Sequence, residues 1–199
     1  MVKNSKAILD DINKLAKVVS ENRLVSYEDL PEYDLFLSQV IDYLNNRFED
    51  EKYTNNIVQN YIKNEVISKP EDGKKRGYTK LHLVQLVLLS YMRPVLTTEE
   101  IKKVFALAFN EMNDRSDDII SWEKAYKIFD QIQDQSFDNF LNIQSLDEHK
   151  IEEFVNGNEL KEDDEERILI FLVVMSLIAQ ASAIKTLAKK IIDEYIERK

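Results

Sequence analysis

Four amides and one ammonium group fall on one side of a short segment: Asn55, Asn56, Gln59, Asn60 and Lys63. Their spacing puts them on one helix face, with Ile57, Val58, Tyr61 and Ile62 on the other. Asn is a poor helix former, because its side chain competes for backbone hydrogen bonds, and a merely solvated face normally uses Glu, Lys or Gln. Asn and Gln pair bidentately with the edge of adenine in a major groove, so this face suits base reading. Asn55 and Asn56 equally suit a first helical turn, where Asn is tolerated. Cations follow at Lys69, Lys74, Lys75, Arg76 and Lys80, with His82 close behind. Such groups hold phosphates while a neighbouring helix reads bases.

Other chemistries find little material. With no cysteine in the chain, disulfides, thiolate-bound zinc, iron–sulfur clusters and thiol nucleophiles are excluded. His82 and His149 stand in no constellation, and His149 beside Glu148 lacks metal-ligand spacing. Gly73, Gly77 and Gly157 are isolated, so there is no Gly-rich phosphate loop. Asp114, Ser116 and Asp118 open like a calcium loop, but Ile119 stands where Gly is needed and Ala125 where Glu is needed. Paired acids such as Asp163 and Asp164 read as a solvated charge run. No enzyme, metal or cofactor is expected.

The net charge of −10 repels phosphate, but it is unevenly placed. From Lys52 to Lys80 there are seven basic and three acidic residues; from Glu111 to Arg167 there are eighteen acids against six bases. The basic segment therefore reads either as an anion-facing surface or as a solvated loop on an acidic protein.

The elements that must position these groups are helical. With three Gly and three Pro in 199 residues, the chain is read as all-α, mostly helical, with enough length for a real core. Residues 1–29 begin as an amphipathic helix with Ile8, Ile12, Leu15 and Val19 on one face. They are too charged for a secretory signal. Tyr33 to Phe48 forms a helix with a stripe of Leu37, Val40, Ile41, Leu44 and Phe48. Thr54 caps the amide-bearing helix, 54–64. Val66 to Ser68 and Lys74 to Tyr78 could pair as a short β-wing (66–78) around the turn at Pro70 to Gly73. Thr79 caps an apolar helix, Lys80 to Met92, that Pro94 ends, and Thr97 or Thr98 caps the next.

Leu30-Pro31, Asp34-Leu35, Gln39-Val40, Thr54 through Asn60-Tyr61-Ile62-Lys63, Pro70, Lys74-Lys75-Arg76, Tyr78-Thr79 and His82-Leu83 resemble a bacterial family common in Firmicutes, the domain of unknown function 1836. Gln59, where that family usually has Asn, and Gly77, between the basic run and Tyr78, depart from its pattern. More distantly, the order of elements is similar to the winged helix-turn-helix of MerR-type regulators. The resemblance covers about residues 30–110 and implies a helix-turn-helix with a wing. The family has no established activity.

Beyond Asn110 come a polar loop, a helix from Trp122 to Ile132, a shorter one over Leu146 to Asn156, and the most apolar run, Ile168 to Ile184. That run extends about 25 Å, short of a ~30 Å hydrocarbon core. It is therefore expected to be a long buried helix, not a membrane span. Three regions are expected: an N-terminal helix (1–29), a MerR-like winged helix-turn-helix (30–110) and a C-terminal helical subdomain (111–199). The reading that follows is a cytoplasmic regulator that binds double-stranded DNA and forms a homodimer through its C-terminal helix. The alternative is an interaction module that uses the helix-turn-helix as scaffold only.

Overall fold

The computed structural model describes residues 11–12, 14–19, 24–48, 52–70, 77–142 and 162–196. The described residues are mostly helical: α1 (Leu37–Arg47), α2 (Asn55–Lys63), α3 (Lys80–Met92), α4 (Thr98–Phe105), α5 (Trp122–Asn142) and α6 (Glu162–Ile196), with 3-10 turns at Tyr27–Asp29 and Arg115–Asp117. Residues 11–12 and 14–19 are also helical. The chain divides into two units, Val25–Phe129 with Ala188–Lys199, and Met1–Leu24 with Asp130–Leu187.

The first unit is built around α3. Its sequence is apolar on nearly every side, and Leu83, Leu86, Val87 and Leu89 are fully buried. Also buried in this unit are Val40 and Leu44 of α1, Val58, Tyr61 and Ile62 of α2, Ile101 and Phe105 of α4, and Trp122 and Tyr126 of α5. Each such side chain contributes about 1.5–3 kcal/mol by leaving water. Phe109 stacks on Trp122 at 3.5 Å between ring centroids, with Phe105 edge-on to the same indole.

The caps follow the local sequence. Thr54 Oγ1 accepts from the Ile57 N–H at the start of α2. Thr97 and Glu100 form a reciprocal box at the start of α4, with the Thr97 N–H donating to Glu100 Oε2 at 2.7 Å. α3 stops at Met92, as Pro94 requires. At the far end of the chain, Ile192 is buried, and the Lys189 ammonium lies 2.8 Å from the Glu100 carboxylate. Lys189, then the Thr97 backbone, pull the Glu100 carboxyl down to about 2.

Of the expected wing, Lys74 to Arg76 lie outside the described residues; among those described, Tyr78 exchanges backbone hydrogen bonds with Leu35, at 2.8 and 3.3 Å, rather than with 66–68. Val66, Ile67 and Ser68 are buried without strand structure. The run Ile168 to Ile184 is not a buried helix. It lies within α6, where Leu169 and Val173 are buried but Phe171, Ile178 and Ile184 are 55–68% exposed. Among the described residues α6 is the one helix long and apolar enough to cross a membrane. The expected helix over Leu146 to Asn156 lies outside the described residues.

Candidate functional site

The amide-bearing helix is held from both ends. Before it, Asn45 of α1 grips the backbone of Tyr53: its Oδ1 accepts from the Tyr53 N–H at 2.6 Å and its Nδ2 donates to the Tyr53 carbonyl at 3.0 Å. This fixes the turn between α1 and α2 as a strand partner would. The Tyr53 ring is buried, and its hydroxyl donates to Ser90 Oγ at 2.8 Å, while Ser90 donates onward to the Leu86 carbonyl. Burial pushes the Tyr53 phenol up to about 12.

After α2, the chain turns through a left-handed residue. The Val66 N–H donates to the Tyr61 carbonyl and the Glu65 N–H to the Ile62 carbonyl, the two bonds of a Schellman stop. The turning residue is Glu65, at φ 56°, where Gly carries no Cβ penalty. Glu65→Gly is expected to stabilise the chain by about 1 kcal/mol and to raise Tm by roughly 2–4 °C in a thermal melt. An unchanged or lower Tm would show that the site carries no strain.

Segment 66–69 is then pinned to the core by groups far apart in sequence. Gln85, fully buried on α3, accepts with Oε1 from the Ser68 N–H at 3.0 Å and the Ser68 hydroxyl at 2.8 Å. Asn113 Oδ1 accepts from the Lys69 N–H at 2.9 Å. His82 lies 3.2 Å from the Lys69 carbonyl through Nε2. Its Nδ1 accepts from the Thr79 N–H at 3.0 Å, so the ring proton sits on Nε2 and donates to Lys69.

The expected site residues divide accordingly. Asn55, Asn56, Gln59, Asn60 and Lys63 are all exposed, on the face of α2 away from Val58, Tyr61 and Ile62. Gln59 Nε2 donates to the Tyr78 hydroxyl at 3.2 Å, and Asn60 Oδ1 accepts from Asn64 at 3.2 Å. Lys69 is exposed, and Lys74, Lys75 and Arg76 lie outside the described residues. Two expected phosphate contacts are placed otherwise. His82 is 3% exposed and engaged through both ring nitrogens, so it caps α3 and holds the loop rather than facing an anion. Lys80 has its ammonium 4.2 Å from the centroid of the Tyr27 ring and 3.4 Å from the Glu32 carboxylate.

Sequence reasoning missed Asn45, Gln85 and Asn113. No periodic signal marks any of them, because their partners lie in other elements. It also missed a cavity of about 330 Å³ lined by Glu65, Lys102, Phe109, Asn110, Met112 and Asn113. Lys102 donates to the Asn64 carbonyl at 3.1 Å on its rim, beside the end of α2. The apparent calcium loop is a turn, in which Asp114 Oδ1 accepts from the Ser116 N–H and hydroxyl. No metal-binding cluster of His, Asp and Glu occurs among the described residues.

The sequence is similar to an uncharacterised protein, YkrK, of Bacillus subtilis (strain 168). The two are 29% identical over 176 residues, covering 79% of this chain and 72% of that protein. No solved structure matches. The family model of a domain of unknown function, DUF1836, matches residues 25–129, which is more than half of the chain and contains α1 through α4 with the loops that hold α2. The chain therefore belongs to the DUF1836 family.

Proposed function

We propose that this protein binds double-stranded DNA as a regulator, with α1 and α2 as its helix-turn-helix and residues 66–78 as a wing of the MerR type. Asn55, Asn56, Gln59, Asn60 and Lys63 face the major groove and read bases. Lys69, Lys74, Lys75 and Arg76 hold phosphates. One observation carries the reading. α2 is buried along Val58, Tyr61 and Ile62, while its opposite face is a row of exposed amides ending in a lysine. A helix clamped at both ends with a hydrogen-bonding outer face has little to do for its own fold. The Asn45 clamp and the Gln85 anchor supply the rigidity that base reading needs.

The test is selection of bound sequences from random duplexes at moderate salt, followed by anisotropy titration of the winner. Enrichment of a defined sequence is expected. The triple variant Lys74→Ala, Lys75→Ala, Arg76→Ala is expected to bind at least about 10-fold more weakly. With four cations per copy on phosphates, Lys69, Lys74, Lys75 and Arg76, the log–log salt slope is roughly −3.6 per copy. No enriched sequence, or a flat salt response, overturns the reading in favour of an interaction module on the same scaffold.

A further inference from the structure

Among the described residues, helix α6 leaves a regular apolar face exposed. Ile170, Val174, Leu177, Ala181, Ile184, Ala188 and Ile191 follow one another in alternating steps of four and three, through three heptads. Ile170, Val174, Leu177, Ile184 and Ile191 are 39–68% exposed. That spacing is the seam of a left-handed coiled coil. An exposed apolar face of this length on a single helix marks an interaction surface.

A bilayer does not suit it. The stretch Arg167–Glu194 is 28 residues, about 42 Å, and meets the length requirement. Yet a spanning helix must put its ends on opposite sides. The Ile192 end is packed in the unit that contains residues 25–129. The chain from Asp130 to Lys161, which leads from that unit back to the start of α6, holds eight acids and two lysines. Its longest uncharged run is eight residues, 139–146, too short to cross. The two ends of α6 therefore belong on one side.

The charges choose the occupant. α6 opens with five consecutive acids, Glu162 to Glu166, and carries Lys185, Lys189 and Lys190 past its uncharged run. A second copy laid parallel sets five acids against five. Laid antiparallel, it sets each acidic end against a lysine-bearing end. Packing Val174 of one copy against Leu177 of the other brings Ile170 opposite the small Ala181 and Glu166 opposite Lys185. Lys189 is already paired with Glu100, so Lys185 is the cation this register offers to the other chain's acids.

We infer that α6 is the dimerisation element of this protein, pairing antiparallel with a second copy of itself along the part of the seam from Ile170 to Ala181. The inference does not depend on DNA binding, and its test uses no DNA.

Light scattering coupled to gel filtration on the full chain is expected to give twice the 23.4 kDa chain mass. The double variant Val174→Lys, Leu177→Lys is expected to dissociate about 30-fold or more readily, while Ala179→Lys, on the opposite side of the helix, stays dimeric. Far-UV circular dichroism confirms that both variants fold. Because the chain has no cysteine, orientation is read directly by oxidation. An Ile170→Cys chain mixed with an Ala181→Cys chain crosslinks, and Ile170→Cys alone does not. A monomeric wild type, a dimer indifferent to the seam variant, self-crosslinking of Ile170→Cys alone, or flotation of the wild type with phospholipid vesicles each overturns the proposal.

Discussion

Replacing Gln85 by Leu is expected to destabilise the chain by about 2–4 kcal/mol and to lower Tm by roughly 5–15 °C. The substitution nearly preserves volume, so packing is not what fails. Gln85 Oε1 is the acceptor for both the Ser68 N–H and the Ser68 hydroxyl, and both residues are buried. Leu removes that acceptor and leaves two donors away from water, each costing about 1–3 kcal/mol. The added apolar surface offsets part of this. The hydroxyl share is separated by Ser68→Ala in the Gln85→Leu background: it removes one stranded donor but not the N–H, so it is expected to recover about a third to a half of the loss. A chemical or thermal melt followed by circular dichroism measures both. A change within about 0.5 kcal/mol for Gln85→Leu would mean that segment 66–69 finds other acceptors at no cost.

Trp122→Ala is expected to cost about 3–5 kcal/mol, enough to leave much of the chain unfolded at 37 °C if its total stability is ordinary. The indole is 4% exposed, stacked on Phe109 and touched edge-on by Phe105. It is the point where α5 closes over α4, so truncation opens a cavity lined by the Phe105 and Phe109 rings. Trp122→Phe keeps part of the stack and is expected to lose less than half as much. Trp122 is the single tryptophan of the chain. In the unaltered protein its emission reports the opening of this cluster, and in the variants circular dichroism replaces it. A loss below about 1 kcal/mol for the Ala variant would show that the α4–α5 contact is peripheral to the core.

The helices of the family domain were legible because their buried faces repeat. Val58, Tyr61 and Ile62 follow helical spacing, and Thr54, Thr79 and Thr97 sit where caps belong. The loops were not legible, because their partners are chosen by the fold. Nothing near Tyr78 in sequence shows that it will pair with Leu35 rather than with Val66 to Ser68. His82 looked like a cation near other cations. Only its burial, with Thr79 on one nitrogen and Lys69 on the other, shows it to be a brace. Lys80 is similar, since Tyr27 and Glu32 come from far upstream. The apolar run of α6 was read correctly as apolar and wrongly as buried. Hydropathy records what a helix needs, not whether its own chain supplies it. The exposed amides of α2 stand where the sequence put them, because one face of a two-faced helix fixes the other.

The loop between Lys69 and Tyr78 begins and ends on fixed points. Lys69 is tied to Asn113 and His82, and Tyr78 to Leu35. For a segment closed in this way, the free energy of closure grows only with the logarithm of its length, about 0.6 kcal/mol for each doubling. The part of the chain that carries the densest positive charge thus lies between two ties whose closure depends only weakly on its length.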